Sequence, residues 1–177
     1  MRSRQLRLLT IALLCSLMPR AHATSGAISV AVKIIDNTCT LATTDTLVAL
    51  DGISTERVKQ GVDIGKKNFA VTLTDCGADA TKVRIAVSGE PDTIDKTAFK
   101  NTSTIKSAAS GVGLHVYIQN GAQTTLMNPS DSTQDVQQLL LPNGDNSIHF
   151  QAGYAGTGAM VNAGDFSTLV HLTLEYQ

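Results

Sequence analysis

Tryptophan is absent from this chain, and aromatic residues of any kind make up only 4% of it. In their place Ala, Val, Thr, Ser, Gly and Asn are abundant, a mixture that suits short strands and turns better than long helices. A basic excess is missing too. Four of the 14 Lys and Arg lie in the first 23 residues, so the rest of the chain carries about 10 of them against 15 Asp and Glu, a net charge of about -5. That balance argues against a nucleic-acid partner, which needs a basic patch, and disfavours an anionic membrane surface. Long apolar runs are missing as well: Leu8 to Met18 is eleven residues, where a spanning helix needs about 20, and nothing later is long and apolar enough, so no membrane insertion is expected. No internal repeat and no low-complexity tract divides the chain.

Catalytic signatures are equally scarce. Gly65-Lys66-Lys67 lacks the upstream glycine spacing and the hydroxyl after lysine that a phosphate loop uses, and no nucleophile elbow singles out a serine. His115, His149 and His171 are scattered through apparent strands without a repeated acidic or Cys partner nearby in sequence; such histidines are far more often surface or core residues than ligands. The expectation is a protein that is not an enzyme, with no catalytic residue, no metal and no cofactor.

Cysteine is sparse and its placement informative. Arg2, Arg4 and Arg7 precede the Leu8–Met18 run, and Ala21-His22-Ala23 has the small-x-small form of a signal peptidase site. Residues 1–23 therefore read as a signal peptide cleaved before Thr24. Cys15 falls inside that leader, where the large Leu14 before it disfavours lipidation. Cys39 and Cys76 remain, and a lone pair in an oxidising compartment is most simply a disulfide. The loop it closes would stabilise the fold by roughly 4 kcal/mol through chain entropy. A metal pair would need further ligands at closer spacing. The 154 residues left after cleavage are one domain's worth.

What is present is a succession of period-2 patterns. From Thr24 to Thr38, Gly26, Ile28, Val30, Val32 and Ile34 share one parity while Ser29 and Lys33 fall on the other, a strand with one strongly apolar face. Periodicity leaves open whether it pairs within its own domain or with another molecule. Further strands are expected at Cys39 to Leu41, Thr46 to Leu50, Phe69 to Cys76, Lys82 to Ser88, Gly111 to Gln119, Val136 to Leu141 and Ser147 to Tyr154. The last runs from Phe166 through Val170, Leu172, Leu174 and Tyr176. Ile53 to Lys67 reads as a loop or strand edge, and residues 92–110 as a long surface connection with at most a short strand near Ala98-Phe99. Asn120-Gly121 and Pro142 to Asp145 are turn signals. Six to eight short strands and no helix period indicate an all-β sandwich.

With these patterns in order, the chain resembles the structural subunits of chaperone-usher pili, the type 1 fimbrial family. The resemblance spans nearly all of the mature chain. It rests on the alternating arm before Cys39, F-x-V-x-L-x-x-C at Phe69 to Cys76, Gly111-Val-Gly-Leu114 followed by Asn120-Gly121, and F-x-A-x-Y at Phe150, Ala152 and Tyr154. Val161-Asn-Ala-Gly164 and Leu172-Thr-Leu174-Glu-Tyr176-Gln177 complete it, with the penultimate tyrosine and the glycine fourteenth from the end that mark the family's carboxy terminus.

The resemblance implies an incomplete immunoglobulin-like β-sandwich lacking its last strand, with residues 24–36 as a donor-strand extension and 37–177 as the pilin domain. The arm's Ile28, Val30, Val32 and Ile34 would bind a neighbouring subunit. The edge carrying Gly164, Val170, Leu172, Leu174, Tyr176 and Gln177 would bind a periplasmic chaperone first and another subunit's arm at the outer-membrane usher. Partners would thus be fimbrial subunits, chaperone and usher, and the destination a fimbria on the bacterial surface, supporting adhesion. Val32 departs from the pattern, since family arms commonly place glycine seven residues before the cysteine. The Asp36-Asn37-x-Cys39 arm end and the Leu-Glu-Tyr-Gln terminus look like those of minor adaptor subunits more than of rod subunits. The competing class is a self-contained secreted β-sandwich that binds a ligand through its loops.

Overall fold

The computed structural model describes residues 38–131, 133–134, 136–158 and 160–177. The expected arm, with Ile28, Val30, Val32 and Ile34, lies outside them. Among the described residues there are nine strands: β1 (Thr40–Leu41), β2 (Asp63–Thr74), β3 (Lys82–Ser88), β4 (Phe99–Lys100), β5 (Val112–Asn120), β6 (Gln123–Met127), β7 (Val136–Leu139), β8 (Asn146–Gly156) and β9 (His171–Tyr176). A single 3-10 turn at Thr55–Arg57 is the only helical element among the described residues, and none of their helices is long and apolar enough to cross a membrane.

The strands form two antiparallel sheets. The larger runs β1-β2-β8-β5-β4, with β6 also on β5, and the smaller runs β7-β3-β9. Alternation explains the assignment. On β3, Val83 and Ile85 are fully buried and Val87 nearly so, while Lys82 and Ser88 are exposed. On β8 the same alternation buries Ile148, Phe150 and Ala152, and β5 buries Leu114, Val116 and Ile118. These inward rows meet in one core between the sheets. Inside it the Phe69 and Phe150 rings, opposite each other on β2 and β8, stack at 5.3 Å.

Turns hold the register. The β5–β6 hairpin closes through a two-residue loop in which Gly121 has φ of 60°, a conformation glycine adopts without steric cost. At the first residue of β8, buried Asn146 accepts from the Leu141 N–H at 2.7 Å and donates to the Leu141 carbonyl at 3.1 Å, so the side chain supplies backbone partners for the turn before the strand. The Cys39–Cys76 disulfide ties β1 to the segment after β2, as the lone cysteine pair suggested.

Four expectations about elements need correction. Thr46–Leu50 forms no strand and pairs with no described strand. β2 begins at Asp63 within the stretch read as a loop or strand edge, because a bulge at Gly65, with φ of 61°, lets Asp63 to Lys67 keep pairing with β8. β6 is a strand despite its polar Gln-Thr-Thr start, because hairpin closure supplies its partner. The final strand starts at His171, not Phe166, since the residues before it are held by side chains elsewhere.

Candidate functional site

Between the two sheets the sandwich is open along one side. A groove of about 740 Å³ runs there. Its floor is the inward face of the large sheet, with Phe69 and Val71 from β2, Leu114 and Val116 from β5, and Phe150, Ala152 and Tyr154 from β8. One lip is the run Thr43 to Leu50, with Val48 and Leu50 half-buried; the other is Phe166 to Leu174. Leu47 and Leu169 stand on the two lips, 95% and 64% exposed, apolar side chains that nothing among the described residues covers.

Among the described residues, both lips have unpaired backbone. β9 pairs with β3 from Val83↔Tyr176 to Ser88↔His171, and no described strand pairs with its other edge. Its inward residues Leu172, Leu174 and Tyr176 are therefore only half-buried although they pack on the core. On the opposite lip, residues 43–53 make no backbone hydrogen bond to other described backbone. What holds that run is the Ala42 N–H donating to the Thr72 carbonyl at 3.0 Å and the Lys67 Nζ donating to the Ala49 carbonyl at 2.5 Å. An extended backbone with unused N–H and C=O groups is a template for another strand.

The approach to β9 is fixed more firmly. Asn101 on the β4–β5 connection donates to the Asp165 carbonyl at 2.9 Å and accepts from the Ser167 N–H at 3.0 Å. Gly164 lies in this segment, seven residues before β9, where a Cβ would sit 2.0 Å from the Ser107 carbonyl oxygen; only glycine lets the two backbones meet. It lines a smaller cavity of about 310 Å³ with Ile53, Val58 and Val112. Phe166 follows and meets the Tyr154 ring edge-on at 5.5 Å. Burial pushes the Tyr154 phenol above its ordinary pKa, with the Asp51 charge adding to it, and burial does the same to Tyr176. At the far end Gln177 extends the ladder: its N–H donates to the Lys82 carbonyl at 2.9 Å, and its carbonyl oxygen accepts from the N–H groups of Thr81 and Lys82.

Of the residues singled out from sequence, Leu172, Leu174 and Tyr176 thus share the inner face of β9, Val170 and Gln177 flank that strand, and Gly164 sits apart on its approach. The groove's other lip, residues 43–50, was not anticipated; its alternation of Val48 and Leu50 was read as an ordinary strand. No cluster of three or more His, Cys, Asp and Glu among the described residues could hold a metal ion. The groove offers an apolar floor and two backbone edges, the equipment for binding an extended peptide.

Comparison with known proteins places the chain in a family. Residues 27–177 match the profile of a family described as fimbrial protein. The protein LpfE of Salmonella typhimurium is 28% identical over 160 residues, 90% of this chain and 88% of that one. Among solved structures, a chain from a chaperone-usher pilus superposes with a TM-score of 0.61 at 18% identity, covering 90% of this chain and 100% of its own. The P pilus rod subunit PapA does so with a TM-score of 0.58 at 18% identity, over 78% of this chain and 99% of its own. Matched from residue 27 to its last residue and folded as a pilin sandwich, the chain belongs to the fimbrial protein family, exported structural subunits that assemble into surface fimbriae.

Proposed function

We propose that this subunit joins its fibre by donor-strand exchange, with residues 24–36 as the arm given to a neighbour and 37–177 as the body that receives one. The observation that carries the reading is that, among the described residues, β9 is paired on one side only beside an apolar groove, opposite a lip whose backbone is also unpaired. An entering strand would complete both edges. Four arm side chains at alternate positions, Ile28, Val30, Val32 and Ile34, would contribute about 1.5 to 3 kcal/mol each if fully buried, roughly 6 to 12 gross, opposed by the entropy of ordering the arm. A periplasmic chaperone would fill the groove before assembly, and an outer-membrane usher would be where the exchange occurs. Within the fibre, the arm end Asp36-Asn37-x-Cys39 and the terminus Leu174 to Gln177 favour a minor adaptor over a bulk rod subunit.

The test is thermal unfolding of a chain beginning at Asn37, alone and with peptides. The expected outcome is a low melting temperature that rises by tens of degrees with an arm peptide, and fails to rise when the peptide's Ile28 position is Asp, because a buried charge would have no partner. Uptake of its own 24–36 peptide would assign a self-polymerising rod subunit; preference for a foreign arm would assign an adaptor. A domain stable alone and indifferent to every peptide would sink the reading and leave a self-contained binding sandwich.

A further inference from the structure

On the face of the large sheet turned away from the groove, three elements converge on one imidazole. His115 of β5 lies between Leu114 and Val116, which floor the groove, and points the other way; it is 8% exposed. Its Nδ1 is 2.8 Å from Oδ1 of Asp63 at the start of β2. Its Nε2 is 3.3 Å from Oδ2 of Asp95 and 3.2 Å from the Thr97 hydroxyl, both in the connection between β3 and β4. The Tyr117 hydroxyl donates to Asp63 Oδ2. Lys66 Nζ lies 3.7 Å from Asp63 and 4.8 Å from the centre of the Tyr117 ring. Gly153, opposite His115 on β8, brings no side chain, and a Cβ there would sit 2.9 Å from Lys66 Cγ. Of the other charged side chains on this connection, Asp92 accepts from the N–H groups of Ile94 and Asp95, Glu90 pairs with Lys100, and Lys96, between Asp95 and Thr97, is exposed.

A count of hydrogens decides what the ring must be. Carboxylates only accept. The single hydroxyl hydrogen of Thr97 goes to Asp95 Oδ1 at 2.6 Å, so toward the ring its oxygen can only accept. The Tyr117 hydrogen goes to Asp63, and burial together with that carboxylate pushes the phenol pKa up, which keeps the hydrogen in place. Both ring nitrogens therefore face acceptors and neither is offered a hydrogen. A ring that donates from both nitrogens is a cation, whereas a neutral ring must turn a lone pair toward one of the two acceptor groups.

We propose that Asp63, His115 and Asp95 form a pH-responsive clamp that pins the connection from Gly89 to Ala98 onto the outer face of the sheet, closed while the ring carries two protons and the carboxylates none. On the acid side the sign follows from Asp95. Burial would raise its pKa, but the hydroxyl and N–H of Thr97 and the His115 ring more than offset this and hold it below the ordinary value. A carboxyl lowered in the folded state stabilises above its unfolded pKa, about 4, and that stability is lost as pH falls through the folded value.

The melting temperature of the mature chain, residues 24–177, is measured from pH 3 to 9 beside His115→Gln and Asp95→Asn. The exposed His149 and His171 are common to all three proteins, so differences in profile isolate the clamp. Relative to both variants, the wild type is expected to lose roughly 3 °C or more as pH falls from about 5 to 3. Asp95→Asn removes the titrating carboxyl and His115→Gln the cation beside it, so each should flatten the acid limb. Profiles that superimpose after a constant offset would overturn the clamp. Should His115→Gln not fold, Asp95→Asn decides alone, because Asp95 is the more exposed carboxylate: an acid limb parallel to wild type overturns the proposal, and a flattened one sustains it.

Discussion

β8 and β9 carry similar patterns, apolar residues alternating with polar ones, and differ in their neighbours. β8 is paired along both edges, with β2 and with β5, and its Ile148 and Phe150 are sealed. Among the described residues β9 is paired along one edge, and its Leu172, Leu174 and Tyr176 stay half-covered. Burial in a sheet comes from the strands beside a residue and the layer above it, so a strand that loses one neighbour keeps its alternation and loses part of its stabilisation.

The sharpest way to break the contrast is at its closed end. Phe150→Ala removes a ring that is 2% exposed and stacked on Phe69, and should cost about 3 to 5 kcal/mol in denaturant unfolding; a cost under about 1 kcal/mol would mean β8 is no better packed than β9. Next comes the tie between the segments flanking β2. Cys39→Ser opens a cross-link spanning 37 residues and should cost roughly 4 kcal/mol, read as a lower melting temperature and a lower folded yield. The smallest effect belongs to β9 and is the most discriminating. Leu174→Ala should cost about 1 kcal/mol in the chain lacking an arm, since the residue is already half-exposed, and about 2 kcal/mol or more once an arm peptide covers it. Equal costs in the two states would mean that nothing docks over β9.

The same contrast marks what was legible from residues alone. β3, β5 and β8 announce themselves because their alternation is long and ends at turn residues such as Gly89 and Asn120-Gly121. Thr46–Leu50 alternates too, yet it is no strand here: alternation records which side faces the core, and a strand also needs a partner along its edge. The open groove was legible only through the family resemblance, because no spacing within one chain states which neighbour is missing. The clamp was invisible altogether. Asp63 and His115 are 52 residues apart, and they meet because β2 and β5 both pair with β8.

The tip of the β5–β6 hairpin projects into empty space. Nothing lies within 4 Å of where a Cβ on Gly121 would be, and Ala122 and Gln123 beside it are exposed. Below the tip the register from Asn120↔Gln123 to Val116↔Met127 is set by ladder pairs that a longer loop leaves intact, and exposed loop tips of this kind accept inserted sequence. The tip itself, from Asn120 to Gln123, lies outside the lining of the groove. In a molecule repeated along a filament, such a tip is an address at which a foreign epitope could be written once in the gene and displayed in an ordered array on the cell.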